Sequence, residues 1–326
     1  MTLSSAVGPY FYLPTASGGN TFNRIITVPI DSNITHVVPR TWGNPGSILL
    51  EHLHIFPIGD KLCFPQRKSQ KNDGEVIIDI SPAEGTYIFR YVNQTGGRYE
   101  PETMAVICGL MDSGKKCFFD IGANIGLYSV VISSFFNDRM VHAFEPMPDL
   151  ADIAKNLAEV NQVNYSVHEL ALSDESGEAD LFLSPVSDAS HSLNPNFRNS
   201  GVSIKVQLLT LDQFCEDNQV FPDLIKIDTE TTEIFVIRGA GELFKTHRPL
   251  VICEVLRESI SVDIMEFLSR FGYHYYHISG GRLVKSDQIL GGTEERDWLF
   301  SPDELPLDIL ELIDYWRTYL GSVSIR

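Results

Sequence analysis

Four short apolar runs in this chain close on a carboxylate: KCFFDI carries Asp120, MVHAFE ends at Glu145, DLIKID at Asp228, and PLVICEV carries Glu254. One acid after a strand is ordinarily a turn or a helix cap. Four of them at successive strand ends describe one pocket edge, because ligands of open α/β sheets sit beyond the carboxyl ends of the strands. Directly after Asp120, Gly122 and Gly126 frame the segment Gly-Ala-Asn-Ile-Gly, where missing Cβ atoms let the chain turn tightly and bring backbone amides near a ligand. The dinucleotide fingerprint would need glycines where this chain has Asn124 and Leu127, and no Gly-Lys-Ser/Thr follows to make a phosphate loop. Glu145 stands just under twenty residues beyond Gly126, where a carboxylate can accept both hydroxyl protons of a ribose. A glycine turn with a ribose acceptor and no phosphate grip describes a nucleoside ligand.

These residues need a scaffold that lines up strand ends. From Cys117 onward, short apolar runs alternate with helical stretches, the pattern of a mostly parallel sheet with helices on both faces, of α/β class. Strands are expected at 116–121, 140–145, 165–170, 223–228, 249–255 and 273–278, with helices around 126–136, 148–161, 232–245 and 261–272. Two further strands, 178–183 and 203–209, flank the polar loop VSDASHSLNPNFRNSG, whose length fits either a functional lid or a connector. Residues 1–95 carry short apolar runs between Pro, Gly and Asn, among them SILLEHLHIF at 47–56 and TYIFRYV at 86–92, and read as a β-rich N-terminal accessory region. A helix over 101–111 leads into a main domain at 96–302, and an amphipathic helix at 306–320 makes up most of a C-terminal segment, 303–326.

The runs FFDIGANIGLYS, VHAFEPMPD, ELALSDESGEADLF, DLIKIDTETTEIFVIRGA and RPLVICEV, in this order and spacing, resemble the FkbM family of S-adenosylmethionine-dependent methyltransferases. The resemblance covers about Tyr99 to Pro302, and its first and fourth motifs together are the specific part. It implies a Rossmann-like, seven-stranded class I methyltransferase sheet, with S-adenosylmethionine over Asp120, Gly122, Ala123, Asn124 and Gly126. It also implies Glu145 on the ribose and the Ala171, Leu172, Ser173 turn near the adenine. One departure stands out: where the family reads IDVEGAE, this chain has Asp228-Thr229-Glu230-Thr231-Thr232-Glu233 after Ile227, without the glycine.

Transfer of a methyl group to a hydroxyl needs in-line alignment and a base or a metal to develop alkoxide character. Asp228 and Glu230, at the end of the fourth strand, are candidates for base or acceptor-orienting group, and His191 in the polar loop is the other candidate base. The competing reading has Asp228 capping the next helix and Glu230 structural. A metal-assisted alternative gathers Asp228, Glu254 and His191 around Mg2+, since hard oxygen ligands dominate that set. His52 and His54 would share one strand face but lack a third ligand.

The formal charge of -18, without a lysine or arginine cluster, argues against nucleic acid as a partner. The 5 cysteines are scattered with no CxxC pair, which fits neither a disulfide framework nor a zinc cluster and favours a reducing cytoplasm. Pro9 and Pro14 break the first twenty residues, and Asp120 and Asn124 break the only near-candidate for a membrane span, so a soluble protein is expected. The leading expectation is an O-methyltransferase acting on a small-molecule or glycan hydroxyl, with a homodimer surface on the prefix and the last helix as an open expectation. A nicotinamide-dependent oxidoreductase on the same fold and a non-catalytic carbohydrate- or partner-binding protein are the alternatives.

Overall fold

The computed structural model describes residues 2–4, 11–12, 36–38, 59–67, 74–198, 201–280, 282–292 and 296–326. Contacts divide the chain into two units, Met1–Gly59 with Arg326, and Asp60–Ile325. In the first unit, β1 (Thr2–Ser4), β2 (Phe11–Tyr12) and β3 (His36–Val38) form an antiparallel sheet in the order β2-β1-β3. The apolar run at 47–56, with His52 and His54, lies outside the described residues.

The second unit begins with a hairpin-like pair, β4 (Lys61–Phe64) and β5 (Val76–Asp79), and two helices, α1 (Tyr87–Gln94) and α2 (Pro101–Asp112). The alternating part follows as β6 (Cys117–Ile121), α3 (Leu127–Phe135), β7 (Met140–Phe144), α4 (Pro148–Asn161) and β8 (Ser166–His168). Next come β9 (Ala171–Ser173), β10 (Gly177–Phe182), β11 (Ser203–Thr210) and α5 (Leu211–Asn218). The chain continues through β12 (Leu224–Ile227), α6 (Glu233–Arg238), α7 (Gly241–Thr246), β13 (Leu250–Glu254) and α8 (Glu258–Ser269). It closes with β14 (His274–Ser279), β15 (Arg282–Ser286), β16 (Asp297–Ser301), α9 (Leu307–Leu320) and β17 (Ser324–Ile325).

The large sheet has the order β15-β14-β16-β13-β12-β6-β7-β8. Five neighbouring strands, from β13 to β8, are parallel, and β16 is inserted antiparallel between β13 and β14. β15 adds an eighth, antiparallel strand at the edge of the seven that the resemblance implies. The chain leaves β6 toward β7 and β8, then crosses back to build β12 and β13 on the other side, so strand order reverses between β6 and β12. That reversal opens a crevice at the strands' carboxyl ends. Every residue of β6, β12 and β13 is buried, as expected of parallel strands covered on both faces. Phe119, Ile121, Ile225, Ile227 and Val251 share one core cluster with Phe214, Val236, Phe244 and Ile264 from α5 to α8.

Two expectations change on contact with the structure. The run at 86–92 is helix rather than strand: Thr86 accepts the amide of Phe89 as an N-cap, and Ile88, Phe89 and Val92 are buried on one side while Tyr87 and Tyr91 stay exposed. The contact boundary falls at Gly59 instead of residue 95, and the C-terminal segment as far as Ile325 is part of the second unit. α9 lies on α2, and β17 pairs with β4, setting Ile325 against Leu62. Among the described residues no helix is long and apolar enough to cross a membrane.

Candidate active site

A cleft of about 850 Å³, including its open mouth, lies at the reversal point. Its floor is Gly122, Ala123 and Asn124, one wall is Glu145, Ala171 and Leu172, and the opposite lip carries Lys226, Asp228 and Glu230. His191 reaches it from the loop between β10 and β11. Asp120, Gly126 and Ser173 do not line it. Asp120 is fully buried beneath the turn and accepts the Ser129 hydroxyl at 2.8 Å, while Gly126, at φ 76°, starts α3 against Ala154 and Tyr165. Ser173 sits behind the wall, where its carbonyl meets Gly239.

The glycine turn works differently from the expected amide cradle. The amides of Gly122 and Ala123 both donate to the Phe144 carbonyl at 3.0 Å, that of Gly126 donates to Ala123, and that of Asn124 donates to Glu145 Oε2 at 2.8 Å. What glycine provides is room: at Gly122, φ is 76° and an added Cβ would stand 1.8 Å from the Asp228 carbonyl oxygen. The turn therefore locks β6, β7 and β12 together and leaves side-chain acceptors facing inward. Asp120 Oδ1 and Asn124 Oδ1 are buried without a hydrogen-bond partner, which is costly unless a donor arrives.

Glu145 takes the Asn124 and Met147 amides, at 2.8 and 2.9 Å, one on each carboxylate oxygen. Each oxygen keeps a second lone pair for a diol. Burial pushes this carboxyl up to about 7, against the pull of those two amides.

Lys226 was not singled out from the sequence, yet it is the cation at the centre of the opposite lip. Its ammonium is 2.8 Å from Asp228 Oδ2 and 4.8 Å from the centroid of Tyr128. Burial works against its charge, but Asp228, Glu100 and Asp120 outweigh burial and hold it well above the usual lysine range. Glu233, also missed, organises the loop that lacks the family's glycine. Its Oε1 accepts the amides of Thr229 and Thr231 at 3.1 and 3.0 Å. Thr231 thereby holds φ 81°, a conformation that suits glycine, and Glu230 beside it holds φ 56°. Asn194 completes the clamp by donating to Thr231 Oγ1 at 2.8 Å. Burial, and then Asp228, pushes Glu230 up to about 8.

The polar loop is fastened across the cleft. Asn124 Nδ2 donates to the Asp188 carbonyl at 3.0 Å, the Asp188 carboxylate accepts the Tyr87 amide at 2.9 Å, and Ser192 donates to the Glu230 carbonyl at 2.6 Å. His191 Nδ1 accepts the Ser184 amide at 3.0 Å, so its proton resides on Nε2 and the ring presents a donor to the cleft. Burial also holds this imidazole below its ordinary range.

The magnesium alternative finds no ligand set. Asp228 is paired with Lys226, Glu254 with Arg296 at 2.8 Å, and the acceptor nitrogen of His191 is occupied. Among the described residues no three His, Cys, Asp or Glu side chains are grouped to hold a metal ion.

A sheet of this strand order, with an antiparallel strand inserted at one edge and a glycine turn at the reversal point, defines a Rossmann-like methyltransferase fold. Residues 120–275, just under half of the chain, match the family model of the methyltransferase FkbM domain. No curated protein matches the chain. Among solved structures, a methyltransferase FkbM from Methylobacillus flagellatus KT is 16% identical with a TM-score of 0.40, over 57% of this chain and 43% of that one. The present chain thus spans less than half of that protein. The plantazolicin methyltransferase BpumL, solved in complex with SAH, is 10% identical with a TM-score of 0.36 over 76% and 93% of the two chains. A human methyltransferase 10 domain containing protein is 12% identical with a TM-score of 0.37 over 63% and 82%.

Proposed function

We propose that the protein is an S-adenosylmethionine-dependent O-methyltransferase whose acceptor is a hydroxyl of a sugar, glycolipid or secondary metabolite. The observation that carries the reading is the joining, in one cleft inside the family-matched segment, of the Gly122 turn and Glu145 with a carboxylate lip at Asp228. The donor side fits a nucleoside with an amino-acid tail. Glu145 has lone pairs left for a ribose diol, Ala171 and Leu172 offer an apolar wall for the base, and Asn124 Oδ1, on the cleft floor, is an acceptor for a donor such as an ammonium.

When bound, the donor supplies an electrophilic methyl carbon on a positively charged sulfur. The chain's own part is to place a hydroxyl in line with that carbon and to take its proton. Asp228 has Oδ1 left for the hydroxyl while Lys226 fixes Oδ2. Glu230, whose carboxyl is at about 8, and His191, with its proton on Nε2, serve as donors that orient the acceptor. The loop from Ser184 to Arg198 covers the crevice and limits water, which would compete as acceptor.

The reading is tested by product mass analysis after incubation with isotope-labelled S-adenosylmethionine and a panel of hydroxylated acceptors. Labelled methyl ether, formed undiminished after exhaustive EDTA treatment and lost in Asp228→Asn, is the expected result. Saturable binding of NAD with none of S-adenosylmethionine would overturn it.

A further inference from the structure

The first helix of the second unit carries a feature that the family-matched segment does not contain. Tyr87 and Tyr91, one helical turn apart on α1, are 41% and 36% exposed and stack on each other with centroids 6.1 Å apart at 29°. Phe89, between them in sequence, is turned into the core, so the exposed pair is not an overflow of apolar residues. Tyr91 meets the edge of Tyr99 at 5.8 Å, and Tyr99 meets Tyr128 at 6.0 Å, so the four rings form a continuous file. Its inner end, Tyr99 and Tyr128, lines the cleft beside Ile88 and Lys226. The file is held at the cleft rim by Asp188, whose carboxylate takes the Tyr87 amide while its carbonyl takes the Asn124 side chain.

We propose that Tyr87 and Tyr91, outside the cleft's own lining, stack the acceptor at the rim, and that the ring they stack is a pyranoside without negative charge. The proposal rests on the methyl-transfer reading above and names the acceptor of that same cleft. Exposed aromatic faces leading into a polar crevice suit a ring with an apolar C–H face and a hydroxylated edge. The charge at the inner end decides the class. Asp228 and Glu230 line it, and Asp228 acts on Glu100, Glu230, Glu254 and Asp297 there, against Lys226 and Arg296. An added anion, as in a uronate or a sugar phosphate, would disfavour ionisation of these buried carboxyls further, whereas a neutral or amine-bearing ring would not. Tyr87, Tyr91 and Tyr99 all precede residue 120, where the family match begins.

The test compares wild type, the double variant Tyr87→Ala/Tyr91→Ala and the ring-preserving Tyr91→Phe with three acceptors: a neutral hexoside, an aminohexoside and a hexuronoside. The expected result is transfer to the first two but not to the third. The double variant should raise acceptor KM by about ten-fold or more with kcat within about two-fold, the size of one or two lost stacking contacts. Tyr91→Phe should behave as wild type, and affinity for S-adenosylmethionine should be unchanged throughout. A KM unmoved in the double variant, or preference for the hexuronoside, overturns the subsite while leaving methyl transfer intact. Direct calorimetric binding of the neutral hexoside decides the matter even where no methyl moves. Saturable binding lost in the double variant supports the subsite, and binding that is absent in wild type or unchanged in the variant overturns it. Failure to bind S-adenosylmethionine at all is a separate outcome that sinks the methyl-transfer reading instead.

Discussion

Gly122 is the residue on which the donor side depends most. Its positive φ and its contact with the Asp228 carbonyl leave no room for a methyl group, and the obstructing atom is backbone that cannot swing aside. Gly122→Ala is expected to cost more than about 2 kcal/mol of stability and to abolish donor binding, measured by urea denaturation and by calorimetric titration. Gly114 is the control: its φ is 106°, but nothing lies within 4 Å of an added Cβ, so alanine there should cost only the backbone strain. That Gly122, Asn124 and Glu145 would meet at one cleft was legible because it follows from short-range spacing. Lys226 was not, since it hides in the apolar run Leu224–Ile227. A signal did exist: Lys226 and Asp228 are two apart and therefore share a strand face, where opposite charges can pair. Glu233 stands where the family motif also ends in Glu, but its task shows only in a loop in which Thr231 takes a glycine's conformation.

At the scale of elements, α1 shows where composition misleads. Tyr-Ile-Phe-Arg-Tyr-Val is rich in β-formers, and the evidence for a helix lay in Thr86 as cap and in the spacing of Ile88 and Val92. The crossing of α2 and α9 shows a constraint that sequence alone does not reveal. Gly109 sits in mid-helix, where an added Cβ would come 2.6 Å from Ile313 Cγ1 and 2.8 Å from Ile313 Cα. Alanine is the better helix former by about 1 kcal/mol. Gly109→Ala is nevertheless expected to destabilise the protein by about 1–3 kcal/mol, because α9 must move off α2. Thermal unfolding of the variant checks the sign, and a raised Tm would refute the close crossing.

Across the whole molecule, the buried carboxyls set the response to pH. Burial raises Glu100, Glu145 and Glu233 to about 7 and Glu230 to about 8. Between their ordinary value near 4.5 and these raised values, the native state binds more protons than the unfolded chain, so stability falls as pH rises through that window. His142 and His168, stacked with ring nitrogens 3.0 Å apart, act in the opposite sense. Burial holds both below 6.5, His168 at about 4, so their contribution grows as pH climbs to 6.5 and is then complete. Above that point the raised carboxyls act, joined toward about pH 8.5 by the buried thiols of Cys117 and Cys215, both pushed up by burial to about 12, and by the self-repulsion of a chain at -18. The Tm of the ligand-free protein should therefore drop between pH 6.5 and about 8.5, and Glu233→Gln should flatten that slope in a differential scanning series. At this scale the parallel sheet was legible from its alternation of runs, because each strand and helix is local. The strap from Ser184 to Arg198 and the pairing of β4 with β17 were not, because both join residues far apart in sequence.

That last pairing has a consequence for how the molecule comes into being. The pair β4–β17 sets Leu62 against Ile325, and Leu62, Phe64, Leu320 and Val323 together line a small apolar pocket that shares Tyr99 and Leu127 with the main cleft. On the ribosome, the segment from the Gly122 turn to Asp228 emerges well before β17, and the wall behind Tyr99 cannot be finished until residue 325 has left the exit tunnel.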